Sequence, residues 1–158
     1  MHEKQTKVHW ELKQDEDDWP PFAVETILCA EVAPHMFRLL NVPYFAKGIS
    51  WGDVVKVKEL DGNLWYESVE RRSGYSTIHI FCFDDAKVEI LKVWARENDC
   101  VLEAAFKRKY FALGIPACVP KEKWLVFLKN LESLDEDGFE FDVAFTPTSS
   151  IDDGVQLP

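Results

Sequence analysis

Residues 77–98, TIHIFCFDDAKVEILKVWAREN, change period halfway along. Thr77 to Phe83 alternates as a strand. Asp84 can then accept from the first free amides of a helix running from Asp85 to Asn98, in which Val88, Leu91, Trp94 and Ala95 share one face. Asn98 is the expected stop. Toward the C-terminus, Val101 to Phe106 and Tyr110 to Ile115 read as strands around a basic turn of Lys107, Arg108 and Lys109. Pro120 suits the first turn of a second helix, where Trp124, Phe127, Leu128 and Leu131 recur at helical spacing, and Phe139 to Phe145 closes as a strand. This β-α-β-β-α-β order is that of a ferredoxin-like sandwich, with two helices over one face of a four-stranded antiparallel sheet.

The first half has a different texture. Val8, Trp10 and Leu12 alternate with His9 and Glu11 as a half-buried strand, and the acidic run Asp15 to Asp18 ends it. Trp19-Pro20-Pro21 forces a turn before the apolar stretch Phe22 to Val32, since neither proline donates to a ladder. Met36 to Leu40 is a further short strand. Val54 to Leu60 and Asn63 to Val69 flank Asp61-Gly62, the pair that supplies the positive φ angles of a tight hairpin. About five short strands joined by turns favour a small barrel. The expected fold class is therefore α+β: a small β-barrel-like subdomain at 7–72, then a ferredoxin-like βαββαβ subdomain at 73–145. A disordered N-terminus at 1–6 and a flexible C-terminal tail at 146–158, rich in Pro, Ser, Thr, Asp and Gly, flank them.

Of 158 residues, 47% are hydrophobic and 13% aromatic, enough to build a core and to exclude global disorder. Eighteen Lys and Arg stand against 28 Asp and Glu, a net charge of −10, which disfavours nucleic acid and anionic lipid as partners. Apolar runs fall short of the ~20 residues of a membrane span, and Met1 to Gln14 lacks the apolar segment of a signal peptide. Cys29, Cys82, Cys100 and Cys118 are far apart and form no C-x-x-C pair, so they read as reduced, buried thiols of a cytoplasmic protein.

The stretch Asn41 to Val55, NVPYFAKGISWGDVV, followed by SGYST at Ser73 to Thr77 and preceded by the Trp19-Pro20 pair, resembles a bacterial family designated domain of unknown function 4265. The similarity runs from about Val8 to Val143. It implies a small bacterial cytoplasmic protein, brings no settled activity, and places histidine where this chain has Tyr75, which puts a proton-transfer role there in doubt.

No G-x-S-x-G elbow, Walker loop, G-x-G-x-x-G or H-E-x-x-H occurs, and His2, His9, His35 and His79 are scattered. The expectation is no catalytic residue, no metal site and no cofactor. Two features remain. The aromatic loop carrying Tyr44, Phe45 and Lys47, with Ser73, Tyr75 and Ser76, could form a ligand pocket between the subdomains or glue them together. The acidic clusters Asp15, Glu16, Asp17, Asp18 and Asp135, Glu136, Asp137 could steer a basic protein, with Trp19 or Trp51 as the desolvated anchor. The leading expectation is a non-enzymatic, immunity-type protein that neutralises a basic toxin. The alternative is a small-molecule-sensing regulatory domain with its pocket between the subdomains.

Overall fold

Inward alternation builds the first half. In β1 (Gln5–Glu11) Val8 and Trp10 are buried while Lys7 and Glu11 are exposed, and β1 runs antiparallel to β2 (Val24–Ala33) from Gln5↔Ala30 to Glu11↔Val24. β3 (Met36–Leu39), β4 (Val54–Leu60) and β5 (Asn63–Arg71) follow in order, and a short parallel contact, Val8↔Leu64 and His9↔Trp65, closes β5 onto β1 as a barrel. Its interior is filled by Val8, Trp10, Ile27, Cys29, Phe37, Leu39, Val55 and Val57. The β4–β5 turn has Asp61 at φ 53° and Gly62 at φ 81°, both in the left-handed region that a two-residue hairpin requires. This computed structural model describes residues 4–107, 109–133 and 138–147.

The second half is a four-stranded sheet in the order β7 (Val101–Ala105), β8 (Tyr110–Ile115), β6 (Ser76–Cys82), β9 (Phe139–Phe145), with α1 (Asp85–Glu97) and α2 (Lys121–Ser133) on one face. Asp84 caps α1 by accepting from the amides of Ala86 and Lys87, and Asn98 is the C-cap. Leu91, Trp124 and Leu128 are fully buried against Ile78, Ile80 and Leu113. Each such burial contributes about 1.5–3 kcal/mol.

The expected α+β class with a ferredoxin-like sandwich is corrected by these elements. Nine strands in two sheets, against two helices of 13 residues each, make the described chain mostly β. The expectation put the two helices over one face of the sheet. In the molecule the barrel loops lie on the other face, so β8 is buried at all of its positions and β6 at all but Phe81. Residues Gln5 and Thr6, assigned to a disordered terminus, belong to β1. Residues 1–3 and 148–158 of the two expected tails lie outside the described residues, as does Arg108 of the basic turn.

The barrel meets the sheet closely at Gly114 of β8. A Cβ built there would stand 3.3 Å from Val42 Cγ2, 3.6 Å from Trp51 Cβ and 3.6 Å from Tyr75 Cδ2. Gly114→Val therefore has to push the 42–51 loop off the sheet, and we expect it to destabilise the protein by about 1–3 kcal/mol. A urea-unfolding midpoint matching the wild type would mean that this contact yields freely.

Candidate functional site

The loop between β3 and β4 joins the two halves, and buried groups from both hold it. Glu25 in β2 is in phase with Ile27 and Cys29, so it points inward. Its carboxylate accepts three consecutive amides, those of Tyr44 (2.7 Å), Phe45 (3.0 Å) and Ala46 (2.8 Å). From the sheet, His79 Nε2 donates to the Pro43 carbonyl at 2.9 Å, Tyr110 donates its hydroxyl to the Tyr44 carbonyl, and Glu103 accepts from the Val42 amide at 3.2 Å. The end of the loop is tied by Asp53, fully buried, which accepts from the amides of Ser50 and Ser73 and pairs with Arg72 at 3.3 Å. The Gly48 amide donates to Ala144 of β9, and Thr77 donates to the Ile49 carbonyl.

Beside this loop the barrel and sheet leave a cleft of about 700 Å³. One wall is Trp10, Leu12, Trp19, Phe45 and Tyr66 from the barrel side; the facing wall is His79, Phe81 and Tyr110 on β6 and β8, with Glu140 and Asp142 on β9. The aromatic rings are continuous: Phe45 stacks on Tyr110 at 5.4 Å, and Trp19 contacts Phe45, Phe81 and Tyr110 at 5.3–5.9 Å between centroids. Phe22, Phe83 and Phe106 extend this cluster to the surface, where they are exposed.

Two ring nitrogens in the walls are uncommitted. A carbonyl can only accept, so the bond to Pro43 fixes the His79 proton on Nε2 and leaves a lone pair on Nδ1, which has no partner among the described residues. Burial pulls the His79 imidazole from its ordinary 6.5 down to about 4; the Pro43 bond and the Asp142 carboxylate oppose this, and Lys47 adds to it. Trp10, 3% exposed and stacked on Tyr66 at 5.1 Å, leaves its indole N–H without a hydrogen bond among the described residues. At the rim Lys47 pairs with Asp142 at 3.2 Å, both about two-thirds exposed. Among the described residues no cluster of three His, Cys, Asp or Glu is placed to hold a metal ion.

Residues 25–137 match the family described as domain of unknown function (DUF4265). The chain belongs to this family. Its fold is similar to that of a crystal structure of a hypothetical protein from Neisseria gonorrhoeae, with a TM-score of 0.76, 18% identity, and coverage of 94% of this chain and 100% of that one. No curated protein matches the chain. Among the described residues no helix is long and apolar enough to cross a membrane.

In this DUF4265 protein the residues singled out from the sequence are dispersed. Of the pocket set Phe45 and Lys47 line the cleft. Tyr44 spans the junction, donating to the Ala104 carbonyl at 2.9 Å. Ser73 donates to the Trp51 carbonyl, Tyr75 packs on Trp51 at 4.8 Å, and Ser76 bonds Thr146. Of the acidic loop, Asp15 accepts from the amides of Asp17 and Trp19 and borders the cleft, while Glu16, Asp17 and Asp18 are exposed. Trp19 is half-buried in the aromatic cluster and Trp51 is half-buried over β8, so neither stands free on the surface as an anchor. Asp135, Glu136 and Asp137 lie outside the described residues. The sequence reading missed Glu25, Trp10, His79, Phe81 and Tyr110 as site-forming residues. Strand parity was the available signal, because Glu25 shares the phase of Ile27, and His79 that of Thr77 and Phe81.

A depressed histidine pKa has a definite sign. Between pH 6.5 and about 4 the unfolded chain binds more protons at His79 than the folded one, so its stabilisation is complete above pH 6.5 and is lost as pH falls toward 4. Glu25 and Glu103, raised by burial, work the other way: their contribution declines as pH rises above 4.5. Comparing wild type with His79→Asn isolates the histidine. Between pH 7 and pH 4 the wild type should lose about 3 kcal/mol relative to the variant in urea unfolding. Parallel pH profiles would mean that His79 is not held neutral.

Proposed function

We propose that this protein is a non-enzymatic binding module whose ligand is a small molecule seated between the barrel and the sheet. The observation that carries this is the cleft itself. At about 700 Å³ it falls within the roughly 300–1,000 Å³ of ligand sites, and its walls combine aromatic faces with a few polar atoms, the usual make-up of such sites. His79, neutral at ordinary pH, suits an acceptor of hydrogen bonds better than a proton shuttle, which works best with a pKa near the operating pH.

Toxin neutralisation rests on net charge, and the best-defined acidic group, Asp15, is engaged within its own loop. We therefore place the small-molecule reading ahead of it. A cytoplasmic setting, expected from four cysteines that are all free, belongs to the same proposal.

Thermal unfolding in the presence of pooled small metabolites tests the reading. A ligand at 100 times its Kd should stabilise the wild type by about 2.7 kcal/mol. The effect should weaken at least ~10-fold in apparent affinity in Phe81→Ala, which removes part of the wall, and persist in Ile90→Ala on the outer face of α1. Stabilisation by a purified basic protein with no response to any small molecule would reverse the order of the two readings.

A further inference from the structure

The ligand-binding reading leaves the chemical class of the ligand open, and the charge layout of the cleft narrows it. We propose that the cleft selects an organic cation: an ammonium group carried on a flat apolar body. This rests on the small-molecule reading above.

Four features of the same site converge. On β9 the barrel-facing positions are Glu140 and Asp142, and register sets Asp142 beside His79 and Glu140 beside Phe81, so each carboxylate flanks a ring of the cleft. The rings of Trp19, Phe81 and Tyr110 line the same space, and an aromatic π face attracts a cation and rejects an anion. His79 offers a lone pair at Nδ1, which an ammonium N–H can donate to and which an anionic oxygen cannot use. Four carboxylates, Glu11, Asp15, Glu140 and Asp142, border the space against two ammonium groups, Lys13 and Lys47; setting aside the Lys47–Asp142 pair leaves three carboxylates against one ammonium group.

The rest of the molecule reinforces this bias. With a net charge of −10, the chain concentrates cations around itself, and a cleft with low-dielectric aromatic walls focuses that field. An anionic ligand of the same shape would have to offset the rim carboxylates as well as the π faces. The apolar body of the ligand would pack against the Phe45 and Tyr110 rings, which stack on each other in the same wall.

Three near-isosteric probes separate charge from shape: 2-phenylethylamine, 2-phenylethanol and 3-phenylpropionate, each titrated into the full-length protein at pH 7.5 and followed by backbone and indole N–H NMR shifts. The amine should bind ~10-fold or more tightly than the alcohol, and the propionate should bind weakest. The double variant Glu140→Gln/Asp142→Asn alters two exposed side chains and should reduce amine affinity by ~10-fold while leaving the alcohol unchanged. Equal affinity of amine and alcohol, a preference for the propionate, or an amine affinity indifferent to the double variant each overturns the cation assignment and leaves the cleft reading standing. Absence of cleft shifts with all three probes up to about 20 mM also overturns the cation assignment, and the pooled-metabolite screen then decides the small-molecule reading by itself.

Discussion

A single buried carboxylate organises the junction between the two halves. Glu25 sits on a barrel strand at 8% exposure, where an ionised group loses most of its hydration, and burial pushes its pKa above the usual carboxylate value. Three successive amides of residues 44–46 converge on it and restore much of what water gave. Gathering those amides fixes the backbone of the loop, which in turn sets the Pro43 and Tyr44 carbonyls against His79 and Tyr110. The position of the barrel over the sheet, and the cleft at their margin, depend on that chain of bonds.

The cleft arises because the two surfaces match only in part. Near β7 and β8 the small residues Ala112 and Gly114 let the loop approach the sheet closely, and Val42 and Trp51 fill the space. Toward β9 the barrel-facing residues become Glu140 and Asp142, which stay hydrated, and the two halves diverge. Large rings then line the opening without closing it. The same change from small to charged side chains along one sheet face produces both the contact and the gap.

Much of the local structure was legible from residues. The Asp61-Gly62 hairpin, the Asp84 cap and the Asn98 stop each depend on chemistry confined to a few neighbouring positions. Fold class was not legible in this way, because it depends on the balance of sheet and helix over the whole described chain, where nine strands in two sheets outweigh two helices. The site was legible in part. The stretch Asn41 to Val55 drew notice for its aromatic residues, yet Tyr44 serves the junction through its backbone and hydroxyl, and Phe45 reaches the cleft. Glu25 and His79 come from distant strands, and their convergence on one loop is a tertiary fact that spacing along the chain does not encode.

Closure of the barrel also governs how this chain can stick to copies of itself. The short parallel contact of Val8 and His9 with Leu64 and Trp65 joins the first and last barrel strands, so neither is a free sheet edge along its whole length. Among the described residues only β7 and β9 are edge strands, and each carries its own protection: charged Glu140 and Asp142 on β9, where the Gly48 amide also occupies the Ala144 carbonyl, and Tyr44 over the Ala104 carbonyl of β7. In the four-stranded sheet, edge-to-edge polymerisation, the usual hazard of a strand-rich protein, thus meets two short segments that are already blunted.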